Sequence, residues 1–268
     1  MEIINDYQPR GKFKAALFDF DGTVSLIRQG WQEVMETYFT DVLMQACGSG
    51  DRSATAAYVR NFIDELTGVQ TIYQCIRLAE EVAACGGRPA DPLEYKREYH
   101  RRLMQKIEHR IQGLKEGRIK TDDLLVPGAV SFLRALQERG VALYLASGTD
   151  EIYVRQEAEL LGISSFFAGN IYGALDNYKS FSKEMVIRKI LAEHDYSGCN
   201  LLGVGDGYVE IQNVKAAGGM AVGVATDELA CMEVDTWKRH RLINAGADVV
   251  IPNYINLEEI MDYLFGSN

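Results

Sequence analysis

The chain has 268 residues, 47% of them hydrophobic and 25% charged, which allows a real apolar core in one large domain or a domain carrying an insertion. Its 28 basic and 38 acidic residues give a formal charge of −10, which argues against nucleic acid or an anionic membrane surface as partner, because both demand a positive footprint. The five cysteines, Cys47, Cys75, Cys85, Cys199 and Cys231, form no C-x-x-C pair, so buried structural thiols are expected rather than a disulfide framework or a zinc site.

The opening segment MEIINDYQPR has no basic stretch followed by an apolar one, and no apolar run approaches the length of about 18 residues that a membrane span needs. A cytoplasmic protein is expected. The first predicted element is AALF (15–18), a short run that suits a strand buried on both faces, and it leads straight into FDFDGT (18–23). From about 25 to 122 no convincing strand follows. Helical patterns occupy 30–47, 53–66, 70–85 and 91–113 instead, and the block is read as a second domain. VPGA (126–129) marks the return, with Pro127 near the start of the next helix.

The helix AVSFLRALQERG (129–140) stops at Gly140, and the strand VALYLA (141–146) follows. The helix KEMVIRKILAEH (183–194), strand LLGV (201–204), helix VEIQNVKAAGG (209–219) and strands MAVGV (220–224) and DVVI (248–251) continue the alternation. This order predicts an α/β fold, a doubly wound parallel sheet built from 1–24 and 123–268, with an all-helical domain inserted at 25–122. The insertion holds 14 basic and 14 acidic residues, so the remaining 14 and 24 put the entire net charge of −10 in the sheet domain. Two chain crossings, near Val24–Ser25 and Thr121–Pro127, would let the insertion hinge.

Open parallel sheets bind ligands beyond the carboxyl ends of their strands. There the sequence supplies Asp19 and Asp21 after the first strand, Ser147, Gly148 and Thr149 after the second, and Asp206 and Glu210 in GDGYVE after LLGV. Lys183 opens the helix before that last strand. Taken singly, each has an ordinary explanation: an Asp-Gly turn, a polar loop, a solvated helix residue, a surface lysine. GVGDG also lacks the full G-x-G-x-x-G of a dinucleotide loop. Together, in this order at strand ends, they point to one site. Asp19, Asp206 and Glu210 converging would repel one another unless a cation sat among them, and hard carboxylates without His or Cys favour Mg²⁺. Ser147, the Gly148 amide and Lys183 suit a phosphate, so a small phosphorylated metabolite is the expected partner.

DFDGT, ASGT, Lys183 and GDGYVE resemble the four motifs of the haloacid dehalogenase superfamily, over 13–24 and about 123–268. The insertion is similar to the helical cap of the branch that includes phosphoglycolate phosphatases and β-phosphoglucomutase. The resemblance implies Asp19 as nucleophile, Asp21 as general acid and base, and Ser147, Gly148 and Lys183 as phosphate-binding groups. It implies Mg²⁺ on Asp19, the Asp21 carbonyl and Asp206, with Glu210 direct or through water. Glu210 stands where Asp is common, and Lys179 competes with Lys183, which is favoured because Ser182 can cap its helix. Asp21 itself points to phosphoryl groups on oxygen, since relatives that cleave carbon–halogen bonds lack an acid there. In the cap, LTGVQTIYQ (66–74) resembles the loop that faces the active site in sugar-phosphate members. Its uncharged Thr67, Gly68, Gln70 and Thr71 suit a hydroxylated substrate, and Arg28 and Gln29 are further candidates. The expectation is a Mg²⁺-dependent phosphatase for a small phosphate monoester. The alternatives are a phosphomutase with the same nucleophile and an idle binding domain. A monomer is compatible with the sequence, which fixes no oligomeric state.

Overall fold

The computed structural model describes residues 1–48 and 50–266; residues 267 and 268 of the expected sheet domain lie outside them. Among the described residues, AALF forms the fully buried strand β2 (Ala15–Phe18), after a short β1 (Glu2–Ile3). The later strands are β3 (Ala142–Asp150), β4 (Ile171–Ala174), β5 (Leu201–Gly205), β6 (Met220–Val224) and β7 (Val249–Ile251). They make one seven-stranded sheet in the order β1-β7-β6-β5-β2-β3-β4, parallel except for β1 against β7. The chain order therefore reverses around β2, which has β5 on one side and β3 on the other. That is the switch point at which such sheets open a crevice.

Helices pack on this sheet because each offers an apolar stripe. In α5 (Ala129–Glu138), Phe132, Leu133 and Leu136 are buried at helical spacing. The helices α6 (Glu151–Leu160), α7 (Lys183–His194), α8 (Tyr208–Ala216), α9 (Thr236–Ala245) and α10 (Leu257–Phe265) follow the later strands or precede them. Phe18 meets the rings of Phe132 and Phe167 edge-on at 5.9 and 6.4 Å. Each such fully buried side chain contributes about 1.5–3 kcal/mol.

Two compact units emerge, 1–27 with 113–268, and 28–112. The segment 121–124 falls in the first because Leu26 N donates to Leu124 O at 2.9 Å and Ser25 bridges Leu125. The described elements of the second unit are all helices: α1 (Trp31–Cys47), α2 (Arg52–Glu65), α3 (Thr71–Ala84) and most of α4 (Pro92–Lys115). Its interior holds Phe39 and Phe62 stacked at 6.1 Å, with Gln74 and Lys96 also buried. Asp51 caps α2 by accepting from Ser53 N at 2.8 Å.

Three expectations need correction. The strand read as ending at Ala146 runs on to Asp150, because its register against β4 shifts between Ala146 and Asp150 and the chain stays extended through this irregularity. The short edge strands β1 and β4 and the helices α6, α9 and α10 were not among the predicted elements. Finally, Cys47 and Cys85 form a disulfide, although a spacing of 38 residues announces nothing. The fold brings together the ends of α1 and α3, whose last residue is Cys47 and whose C-cap is Cys85. Cys75, Cys199 and Cys231 are free.

Candidate active site at the strand ends

Asp19 follows β2 directly, and its amide donates to Val204 O of β5 at 2.9 Å, so the sheet pairing itself fixes its backbone. The chain then turns sharply. Thr23, Val24 and Ser25 amides all converge on Phe20 O, and Gly22 adopts φ 75°, a conformation that glycine takes without steric cost. A Cβ at Gly22 would lie 2.2 Å from Asp206 Oδ2, so glycine is also required for that carboxylate to approach.

Lys183 binds this turn to the rest of the site. Ser182 caps α7 by accepting from Met185 N at 3.1 Å, which starts the helix with Lys183 at its first position. The Lys183 ammonium donates to Asp19 Oδ1 and to Glu210 Oε2, both at 2.8 Å, in a buried ion triad. Lys179 instead lies in a short turn, its ammonium 5.9 Å from the Tyr178 ring centre. Glu210 is held from its other side by Gly207 N, 2.6 Å from Oε1. One carboxylate oxygen from each of Asp19, Asp206 and Glu210 lies within 4.8 Å of the others.

The electrostatics follow from burial. Desolvation pushes the Asp19 carboxyl well above the usual carboxylate range; Lys183 opposes this, while Glu210 and Asp206 add to it. Burial works against the Lys183 ammonium too, but Asp19 and Glu210 outweigh it and hold the group above the ordinary lysine value. The Lys183 ammonium reaches Asp19 and Glu210 only, and the three carboxylates taken with it keep negative charge that a hard cation would offset. Oxygen donors alone, closely spaced and partly desolvated, fit Mg²⁺.

On the other side of β2, Thr149 Oγ1 donates to Asp21 Oδ2 at 2.9 Å, and Ser147 Oγ approaches the same oxygen at 3.4 Å. Ser147 Oγ also accepts from Thr149 N at 3.0 Å. Gly148 lies between them in the irregular part of β3. Asp19, Asp21, Ser147, Lys183, Asp206 and Glu210 are thus brought together within the sheet unit.

Thr67, Gly68 and Gln70 belong to the helical unit, in the turn between α2 and α3. Thr67 Oγ1 donates to Ile63 O at 3.0 Å, Gly68 adopts φ 99°, and Gln70 is the buried N-cap of α3. Thr71 is the first residue of that helix. Arg28 and Gln29 sit just before α1, with Gln29 O accepting from Arg110.

Sequence reasoning did not single out Thr149 as the partner of Asp21, although it stands in the same SGT. It missed Lys238 and Glu228 altogether. The Lys238 ammonium donates to Asp206 Oδ2 at 2.9 Å and to Glu228 Oε1 at 2.6 Å. No motif marks them. The segment TWKRHRL that carries Lys238 was not among the predicted helices.

A family model described as haloacid dehalogenase-like hydrolase matches residues 13–218. No curated protein matches the chain significantly. Among solved structures, a β-phosphoglucomutase from Clostridium difficile is similar with a TM-score of 0.63 at 16% identity, covering 94% of this chain and 97% of that one. A predicted phosphoglycolate phosphatase from Haemophilus somnus 129PT gives a TM-score of 0.60 at 14% identity, over 93% and 98%. A predicted phosphatase from Clostridium acetobutylicum gives 0.59 at 18% identity, over 93% and 99%. At these identities the likeness is one of fold, a sheet core with an inserted helical cap. The family match takes in both FDFDGT and GDGYVE, whose carboxylates meet at the strand ends, and the chain belongs to the haloacid dehalogenase-like hydrolases.

Proposed function

We propose that the protein is a Mg²⁺-dependent phosphatase acting on a small phosphate monoester, a sugar phosphate or a similar hydroxylated metabolite. The observation that supports this most is the meeting of Asp19, Asp206 and Glu210 at the end of β2, with Lys183 paired to Asp19 and Glu210. Asp19 is the nucleophile. Its Oδ1 is engaged by Lys183, and its Oδ2 attacks phosphorus while the ester P–O bond breaks. Asp21, held through Oδ2 by Thr149, donates a proton to the leaving alkoxide oxygen. It then takes a proton from the water that attacks the phosphoryl-aspartate, which releases phosphate and restores Asp19. Ser147, the Gly148 amide and Lys183 hold the phosphoryl oxygens and offset their charge.

Asp19, the Asp21 carbonyl and Asp206 would hold the metal, with Glu210 direct or through water. When bound, Mg²⁺ neutralises charge on the transferring group. The turn of Thr67, Gly68 and Gln70 contributes substrate selection, its uncharged side chains matching hydroxyl groups better than a carboxylate. We place the protein in the cytoplasm. No described helix is long and apolar enough to cross a membrane. The Cys47–Cys85 bridge weighs against this placement, because disulfides persist mainly in oxidising compartments.

The test is a panel of phosphorylated metabolites with phosphate release as the readout, with and without prior chelation. Release that needs Mg²⁺ and is inhibited by Ca²⁺ is expected. Undiminished release after chelation overturns the metal assignment. Isomerisation of a sugar phosphate without net phosphate release would make the protein a mutase with the same nucleophile.

A further inference from the structure

A second lysine of the sheet unit is buried against the carboxylate of Asp206, and the mechanism above does not use it. Lys238 is 6% exposed, and its ammonium lies between Asp206 Oδ2 and Glu228 Oε1, 2.9 and 2.6 Å away. Burial works against this ammonium, but the two carboxylates outweigh it and keep it above the ordinary lysine value. The segment that carries the pair is a braced excursion between β6 and α9. Thr226 bridges Val234, Asp227 N donates to Glu233 O at 3.0 Å, and Asp235 N returns to Ala225 O at 2.8 Å. Asp235 then caps α9 by accepting from Lys238 N at 2.9 Å. Thr226 Oγ1 and Asn253 Nδ2 tie the excursion to the loop after β7.

The pair also abuts the nucleophile's turn. A Cβ built on Gly22 would meet Asp206 Oδ2 at 2.2 Å and Glu228 Oε1 at 3.1 Å. Asp206 is therefore confined by the Gly22 backbone on one side and the Lys238 ammonium on another. Charge bookkeeping separates two roles for such a pair. Asp19, Asp206 and Glu210 with Lys183 carry two negative charges in excess, which suits a divalent cation. Adding Lys238 and Glu228 leaves that excess unchanged. What the pair changes is the freedom of Asp206, a partly exposed carboxylate on a loop that would otherwise rotate.

We propose that Lys238 and Glu228 are positioning residues that lock the Asp206 carboxylate in one orientation and so set the site's preference for Mg²⁺ over Ca²⁺. Mg²⁺ demands a near-ideal octahedron at short distances, whereas Ca²⁺ accepts a looser and larger ligand set. A fixed carboxylate serves the first ion, and a mobile one relaxes the site toward the second. Groups that orient metal ligands from behind are typically worth about 10–100-fold in metal affinity. The inference rests on the metal reading above.

The test is calorimetric titration of the full chain, without substrate, by MgCl₂ and separately by CaCl₂. The charge-neutral variant K238M/E228Q is compared with the wild type. Expected is a loss of Mg²⁺ affinity of about tenfold or more with a smaller loss for Ca²⁺, so that the ratio of the two affinities falls. An unchanged ratio overturns the proposal, even if the variant melts at a lower temperature, because a merely structural role moves stability and not selectivity. If the double variant fails to fold, E228Q alone is titrated, with a smaller fall in the same ratio expected and no fall overturning the proposal. A wild type that binds neither ion overturns the metal reading and this inference together. A wild type that binds Mg²⁺ beside a variant of equal selectivity overturns only this one.

Discussion

The two units differ in the ion pairs they bury. In the sheet unit Lys183 and Lys238 are buried among carboxylates, with side-chain exposures of 4% and 8%. The helical unit also buries Arg28 and Lys96, but its pairs of Arg60 with Glu36 and of Arg101 with Glu98 lie at the surface, the arginines 64% and 55% exposed. The contrast separates function from solubility. A buried ionic cluster costs desolvation that stability alone does not repay, so its presence at a strand-end crevice marks chemistry. Surface pairs on helices contribute little either way.

The largest break in this comparison is Asp19→Asn. It removes the proposed nucleophile but keeps its shape, so turnover is expected to fall by at least about a thousandfold, with the fold retained because Lys183 keeps Glu210 as its partner. Full retention of phosphate release would end the assignment of Asp19.

Next comes Lys183→Met, which leaves Asp19 and Glu210 buried without their ammonium. Removing one partner of a buried ion pair costs about 3–5 kcal/mol, to be measured by denaturant titration of metal-free protein. Asp19 in this state has its carboxyl raised above the unfolded value, so the folded form binds the extra proton more readily. The penalty is therefore full at neutral pH and shrinks as pH falls. A matching break in the helical unit, Arg60→Met, is expected to cost less than about 1 kcal/mol. Equal costs at the two sites would erase the distinction.

Cys47→Ala with Cys85→Ala tests the covalent link within the helical unit. With the cysteines 38 positions apart, loss of the cross-link is expected to cost about 2–4 kcal/mol, read as a lowered unfolding midpoint with turnover kept. An unchanged midpoint in non-reducing buffer would show that the bridge contributes nothing.

The smallest effect belongs to Glu98. Hydrogen bonds from Arg101 and Arg102 hold its carboxyl down from the ordinary 4.5 to about 2. A depressed carboxyl stabilises the fold above its unfolded value and loses that contribution as pH falls from 4.5 toward 2. Because the Glu98 side chain is 32% exposed and its pairs with Arg101 and Arg102 are screened by water, Glu98→Gln should cost under about 1 kcal/mol at neutral pH. The difference from wild type should vanish near pH 2. A difference that grew on acidification would contradict the sign.

The sequence displays the parts of the fold whose signals are local. AALF and MAVGV are legible as buried strands because their side chains are apolar on both faces, and the helices of the inserted block are legible by their spacing. FDFDGT and GDGYVE expose the carboxylates because a strand end places them. Ser182 marks the start of α7 because a cap is a contact between near neighbours. What stayed hidden depends on contacts between distant segments. Lys238 meets Asp206 across 32 positions, on a helix that was not among those predicted. Cys47 meets Cys85 only because two helix ends converge. The extension of β3 through Ser147–Asp150 depends on a register shift against an edge strand. The brevity of β1 and β4 gives too little pattern to read.

The central claim is that Asp19 carries the phosphoryl group during turnover. The direct measurement is to quench the protein during steady turnover of a substrate from the metabolite panel, reduce with borohydride and map the modified peptide by mass spectrometry. The account predicts modification at Asp19, in the segment Ala15–Thr23, and none in Asp19→Asn. Modification at another residue, or sustained turnover with Asp19 never modified, would contradict it.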